Sequence, residues 1–324
     1  MFLPDLPRYT TLTTLTLCLV WPLLAQEKPT RDIYDHEGQK NAPKDVKKIV
    51  FIAGTEPHGG RGNHEFVAAA IYMARTLNAT YPNVHATVYT RAKFPKDLSF
   101  ADAVIIGMDH GGKVAESAEV AKAMQRGAGF MALHYGVEVN KGKQGEAFLQ
   151  WLGGYFEPFW SVNPWWTPQF AELPKHPTTR GVKPIEVHDE WYYHMRFVEG
   201  MKGITPILTA VPPLKTITDR YKPGSKPGSH HGNPDVLKAV QDGKPQIVAW
   251  AYERPNGGRG FGFTGMHRHA NWGDDGFRTL LLNAAAWVSG LEVPEGGIPT
   301  QKLDKDALEK LIDEAKLAPK KYGI

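Results

Sequence analysis

Cysteine is almost missing from this chain. The one cysteine, Cys18, lies in an N-terminal stretch that reads as an export signal, so the processed chain keeps none. Disulfides, thiolate metal ligands and a cysteine nucleophile are thereby excluded together. Long apolar runs are missing as well. Residues 12–25 are apolar residues and threonines, too short to span a bilayer and interrupted by Pro22. Arg8 before this run and Leu23-Leu24-Ala25-Gln26 at its end predict a secretory signal peptide at residues 1–25, with an uncleaved N-terminal anchor as the alternative. An exported chain without disulfides suits a bacterial periplasm or the cell exterior. An excess of one charge is also absent. The net charge is +4, with no basic stripe and no nucleic-acid motif. There is no internal repeat.

What the chain has in quantity is histidine and aromatics: 13 His, nine Trp and 12 Tyr. Four predicted strands each end in a histidine. Ile49–Gly54 runs into Thr55-Glu56-Pro57-His58 and on to His64; Ala103–Gly107 runs into Met108-Asp109-His110. Gly129–Leu133 runs straight into His134, and Gly260–Gly265 into Met266-His267-Arg268-His269. These strands are short apolar runs bounded by glycine, as buried parallel strands are. Helical spacing recurs at 64–81, 115–126, from 145 and at 277–289, so β and α elements alternate. The expectation is an α/β fold with a parallel sheet and helices on both faces. In such a sheet ligands bind at the carboxyl ends of the strands, where these histidines gather.

The organisation read from the sequence is a signal at 1–25, a flexible lead-in at 26–46, an α/β body at 47–290 and a tail at 291–324 carrying one short amphipathic helix. Residues 153–187 break the alternation with Tyr155, Phe156, Phe159, Trp160, Trp165, Trp166 and several prolines, an aromatic-rich insertion able to form a lid or pocket wall. Strands are expected at 185–188, 191–196 and 204–209. Residues 219–235 are a Pro/Gly/Ser loop whose His230 and His231 read as solvated. Asn256-Gly257-Gly258 marks a hairpin between 246–252 and 259–265.

Residues 127–136 have the strand–turn–helix layout of a nucleophile elbow, with His134 at the exposed position. Imidazole there suits a general base or a metal ligand; the alternative is a histidine that only bonds neighbouring loops. Residues 56–66 form a glycine-rich loop but match neither G-x-x-x-x-G-K-[ST] nor G-x-G-x-x-G. In that loop Asn63 is a candidate N-cap, and His64 would sit at a helix N-terminus. Asp189 and Glu190 are adjacent on a predicted strand, so only one should face a pocket. His267 and His269 would share a face if their strand continued. No H-E-x-x-H spacing is present, so a divalent metal rests only on residue types, with His64, His134 and His267 as candidates.

Taken in order, residues 127–136, His176-Pro177-Thr178-Thr179-Arg180-Gly181, Asp189-Glu190-Trp191-Tyr192 and residues 265–272 resemble the trehalose-utilisation, ThuA-like family over residues 47–290. The resemblance implies a flavodoxin-like fold similar to class I glutamine amidotransferases. His134 would stand where those enzymes carry cysteine, which removes glutaminase chemistry. It also implies carbohydrate catabolism through 3-keto sugars, beside an oxidoreductase partner.

On that reading the chain is an exported enzyme that eliminates the C1 substituent of a 3-keto glycoside. His134 is the base, and His64 or His267 stabilises the enolate, directly or through a metal. Asp189 or Glu190 orients or protonates. Trp165, Trp166, Tyr192, Arg268 and His110 are candidates for holding the sugar. Two alternatives stay open: a non-catalytic carbohydrate-binding module, and a metal-dependent hydrolase of another substrate.

Overall fold

The computed structural model describes residues 31–54, 58–91, 93–218 and 234–319. The expected signal segment and the loop histidines His230 and His231 lie outside the described residues. Eleven strands are found among the described residues: β1 (Lys47–Ala53), β2 (Val84–Tyr89), β3 (Ala103–Gly107), β4 (Gly129–Leu133), β5 (Gly154–Tyr155), β6 (Trp165–Trp166), β7 (Asp189–Glu190), β8 (Arg196–Phe197), β9 (Ile204–Ala210), β10 (Gln246–Glu253) and β11 (Arg259–Phe263). The helices are α1 (His36–Lys40), α2 (Phe66–Thr80), α3 (Gly112–Ala115), α4 (Ala118–Gln125), α5 (Lys143–Leu152), α6 (Lys215–Thr218), α7 (Pro234–Gln241), α8 (Asp275–Val288) and α9 (Lys305–Leu317).

Seven strands make one sheet in the order β2-β1-β3-β4-β11-β10-β9. The first five are mutually parallel, and β10 pairs antiparallel with both β11 and β9. This is the flavodoxin-like strand order, 2-1-3-4-5, with β11 in fifth place. The central strands β1, β3 and β4 are apolar on both sides because both faces are covered. In β1, Ile49, Phe51 and Ala53 enter one core and Val50 and Ile52 the other. The first core lies under α2 and α8, the second under α4 and α5. Phe261 in β11 has no exposed surface, and cutting it to alanine would cost about 3–5 kcal/mol.

Three sequence expectations change. The lead-in is packed where it is described: Ile33 is buried, α1 lies on the sheet edge, and Gln39 Nε2 donates to the carbonyls of Ile49 (2.9 Å) and His85 (2.6 Å). Helix α2 starts at Phe66, and Asn63 does not cap it. The Asn63 amide instead donates to the Gly59 carbonyl at 2.6 Å, closing a tight loop in which Gly60 and Gly62 take left-handed φ of 85° and 87°. The strands expected at 185–188 and 191–196 are not found there: β7 falls between them, and β8 overlaps the second only at Arg196. The insertion pairs with the residues that follow it, as ribbons β5–β8 and β6–β7, and does not extend the main sheet.

The tail helix docks beside the loop that precedes α2. Arg61 bonds Glu309 (2.7 Å) and Asp313 (2.8 Å), Arg75 pairs with Glu314, and His269 Nε2 donates to the Leu308 carbonyl (3.1 Å). No helix among the described residues is long and apolar enough to cross a membrane.

Candidate active site

Parallel strands that stop in line deliver their following residues to one edge of the sheet. Three of the strand-end histidines meet there. His134 follows β4 directly, His64 follows β1 through the glycine loop, and His267 follows β11. The chain turns so sharply at these points that His64, His134 and Met266 adopt positive φ of 52°, 50° and 89°. Such backbone costs about 1–2 kcal/mol per residue and persists only where surrounding packing dictates it.

His64 Nε2 and His134 Nε2 lie 3.1 Å apart. The opposite nitrogen of each ring faces a carbonyl: His64 Nδ1 donates to His58 (3.0 Å) and His134 Nδ1 to Thr264 (2.8 Å). A carbonyl can only accept, so in the neutral rings both Nε2 atoms present lone pairs to the same point. The Tyr192 hydroxyl, 3.3 Å from His134 Nε2, is the donor that also reaches it. Burial pushes His64 down to about 3, and burial with the adjacent His64 holds His134 well below the ordinary histidine range.

Glu190 completes the group. Its Oε2 is 2.9 Å from His267 Nδ1 and 3.6 Å from His134 Nε2, while Oε1 accepts from Asn163 Nδ2 at 3.0 Å. Donor atoms of His64, His134, His267 and Glu190 all lie within 4.8 Å of one another. The β6–β7 ribbon explains why Glu190 and not Asp189 is present. Its pairs are Trp165 with Glu190 and Trp166 with Asp189, and successive strand residues face opposite sides. Glu190 and Trp165 therefore face the histidines, and Asp189 and Trp166 face the core.

Asp189, expected as a catalytic group, is a fully buried organiser of the turn that carries His267. It accepts from the backbone N–H groups of Glu190 (2.8 Å), Met266 (2.7 Å), His267 (3.1 Å) and Arg268 (3.3 Å), and from Asn271 Nδ2 (2.9 Å). Burial raises its pKa, against the pull of those donors. Trp166, expected on the sugar, is likewise buried and donates its indole N–H to the Trp191 carbonyl (3.0 Å). Trp165 stays on the rim, edge-on to His267 at 4.5 Å, with the Arg268 guanidinium 4.9 Å over its ring.

A cavity of about 220 Å³ opens above the group, lined by His58, Gly59, His64, Tyr135, Glu138, Asn163, Glu190, Tyr192 and His267. His134 lies beneath it with no exposed surface, so its ring is the floor of the site and no substrate atom reaches it directly. His110 is also outside the lining; its Nδ1 accepts from the Gly112 N–H at 3.1 Å and holds the turn into α3. His269 diverges from His267 to bond the tail helix. His176 caps a short turn and packs on Trp287. Larger hollows exist at Lys47–Asp102–Arg126 (about 420 Å³) and at 171–184 (about 840 Å³), but neither contains the histidine group.

Among the other lining residues, Glu138 and Asn163 were not singled out in the sequence, and His58 was noted only as a histidine following β1. Glu138 is pushed up to about 7 by burial and by the nearby Glu190. Its position four residues after His134 was the available signal. His58 stacks on His64 at 3.8 Å and bonds Asp109 at 2.8 Å. Asn163 has no sequence signature.

The fold and this pocket together define a flavodoxin-like α/β protein with a histidine–carboxylate cluster at the carboxyl edge of its sheet. The ThuA family, described as trehalose utilisation, matches residues 48–288, and the chain belongs to that family. Among solved structures it is similar to a ThuA-like protein from Bacteroides uniformis, at 18% identity over 76% of this chain and 92% of that one, with a TM-score of 0.47. It is also similar to PurLQS from Thermotoga maritima, at 12% identity over 75% of this chain and 99% of that one, with a TM-score of 0.36. No curated protein matches the chain.

Proposed function

We propose that this protein is an exported enzyme that cleaves oxidised, 3-keto glycosides by β-elimination. The observation that carries the reading is Glu138, a carboxyl held near neutrality in a sugar-sized cavity beside a buried histidine–carboxylate cluster. A ketone at C3 acidifies the C2–H. The Glu138 carboxylate takes that proton, and the C–H electron pair flows into the ring carbonyl to give an enolate. Tyr135 and Tyr192, which line the cavity, are the hydroxyl donors available to the enolate oxygen. The enolate then collapses, the C1–O bond breaks, and Glu138 returns its proton to the departing alcohol. A group that titrates near the working pH performs both transfers well. His134, first read as the base, becomes the support beneath His64. Trp165 offers the sugar an apolar face.

The test is a purified protein given a 3-keto glycoside with a nitrophenol leaving group. Wild type should release nitrophenol, leave the unoxidised glycoside intact, and slow by about 10²-fold or more as Glu138→Gln. Binding without turnover would instead make it a carbohydrate-binding module, and equal cleavage of both glycosides a hydrolase. Export is checked by fractionation and N-terminal sequencing, with Gln26 expected as the first residue of the periplasmic form.

A further inference from the structure

We propose that His64, His134, His267 and Glu190 form a four-ligand mononuclear site for a zinc-class divalent cation whose one accessible side faces the cavity. The inference concerns the same pocket as the proposed function, but it stands on donor geometry and holds for any substrate.

Four observations carry it. First, the donor atoms are spaced for an ion. A tetrahedral centre with bonds of about 2.05 Å sets its ligands about 3.3 Å apart. The pairs His267 Nδ1–Glu190 Oε2, His64 Nε2–His134 Nε2 and His134 Nε2–Glu190 Oε2 measure 2.9, 3.1 and 3.6 Å, and no separation in the group exceeds 4.8 Å.

Second, two of the three rings are already in the ligating tautomer. Thr264 and His58 carbonyls take the Nδ1 protons of His134 and His64, and Asn163 orients Glu190 through its other oxygen. Such outer contacts are what fixes metal-bound histidines and carboxylates. Third, two Nε2 lone pairs 3.1 Å apart repel unless a cation lies between them. The Tyr192 hydroxyl is the competing partner, and its 3.3 Å contact serves only the His134 nitrogen.

Fourth, three of the donors line the cavity while His134 closes the floor, so a bound ion would be reached from one side only. Three nitrogens and one carboxylate select zinc, cobalt or a similar ion over calcium and magnesium, which require oxygen shells. Four protein donors complete a tetrahedron, so a water or substrate oxygen arriving from the cavity would be a fifth ligand.

The experiment uses cobalt(II) alone, titrated into chelator-stripped protein without sugar. Expected are one cobalt per chain, a visible absorption of tetrahedral cobalt, and its displacement by zinc. Glu190→Gln and His134→Ala should weaken binding at least tenfold, while Tyr192→Phe and His110→Ala bind as wild type. Circular dichroism of each variant separates lost ligands from lost folding, and wild-type titration alone decides the case if a variant unfolds. No saturable cobalt binding by wild type, binding of the octahedral type indifferent to Glu190→Gln and His134→Ala, or binding abolished by Tyr192→Phe alone overturns the proposal. Keto-glycoside cleavage by protein that binds no cobalt would sink the metal site and spare the proposed reaction; cobalt binding without cleavage does the reverse.

Discussion

Removing the Asp189 carboxylate should unfold the site before it touches any chemistry. Its two oxygens accept from five donors, three of them on the turn Met266–Arg268. An orphaned buried donor costs about 1–3 kcal/mol. Asp189→Ala strands all five; allowing the long Arg268 contact to count for little, the loss is about 4 kcal/mol or more, a large share of an ordinary domain's stability. Asp189→Asn keeps one oxygen. Its amide fits best towards Asn271, which can turn its own oxygen to accept, so only the Met266 N–H is stranded and the cost falls to about 1–3 kcal/mol. Urea unfolding measures both, and cobalt titration reports whether the His267 turn is still in place. The expected order is wild type, then Asn, then Ala, in both assays. If Asp189→Ala unfolds within about 0.5 kcal/mol of wild type yet abolishes turnover, the residue acts on substrate and the organising role is wrong.

Further outcomes follow from the same contacts. Metal-free protein should lose stability between pH 7 and pH 5 by urea unfolding. His64 and His269, depressed to about 3 and about 4, stabilise fully above their unfolded value of 6.5 and lose that stabilisation as pH falls. Together they give up about 4 kcal/mol. Glu138, raised to about 7 from 4.5, works oppositely: its contribution is whole at low pH and is lost as pH rises through about 7. It returns about 2 kcal/mol over this span, so Glu138→Gln should widen the acid loss by about 2 kcal/mol; an unchanged difference would show that the carboxyl is not held neutral. Trp165→Ala should raise KM for a keto glycoside about tenfold with kcat nearly intact. Trp166→Ala should instead cost about 3–5 kcal/mol of stability. His134→Ala should reduce kcat/KM about 10²-fold or more despite the distance of its ring from solvent, checked beside circular dichroism.

Much of this was legible in the chain because buried parallel strands are written as short apolar runs. That fixed the carboxyl edge of the sheet and pointed to His64, His134 and His267 without any spacing motif. The expectation that only one of Asp189 and Glu190 faces the pocket followed from strand alternation, but not which one. The phase is set by pairing with Trp165 and Trp166 in a ribbon two residues long, too short to leave a pattern. For the same reason Trp165 and Trp166 looked equivalent, and one proved to be core. Glu138 and Asn163 enter the pocket because the insertion folds over the sheet edge, a long-range event that no local periodicity encodes. His134 was read as exposed because its turn resembles a nucleophile elbow; His64 and Tyr192 roof it over instead.

The last helix acts as a latch. Through Arg61 and His269 it grips both the glycine loop that presents His64 and the turn just past His267, although none of its residues lines the pocket. A protease nick near residue 304, or a bulky tag that pries α9 away, should therefore loosen two ligating rings at once while leaving the main sheet whole.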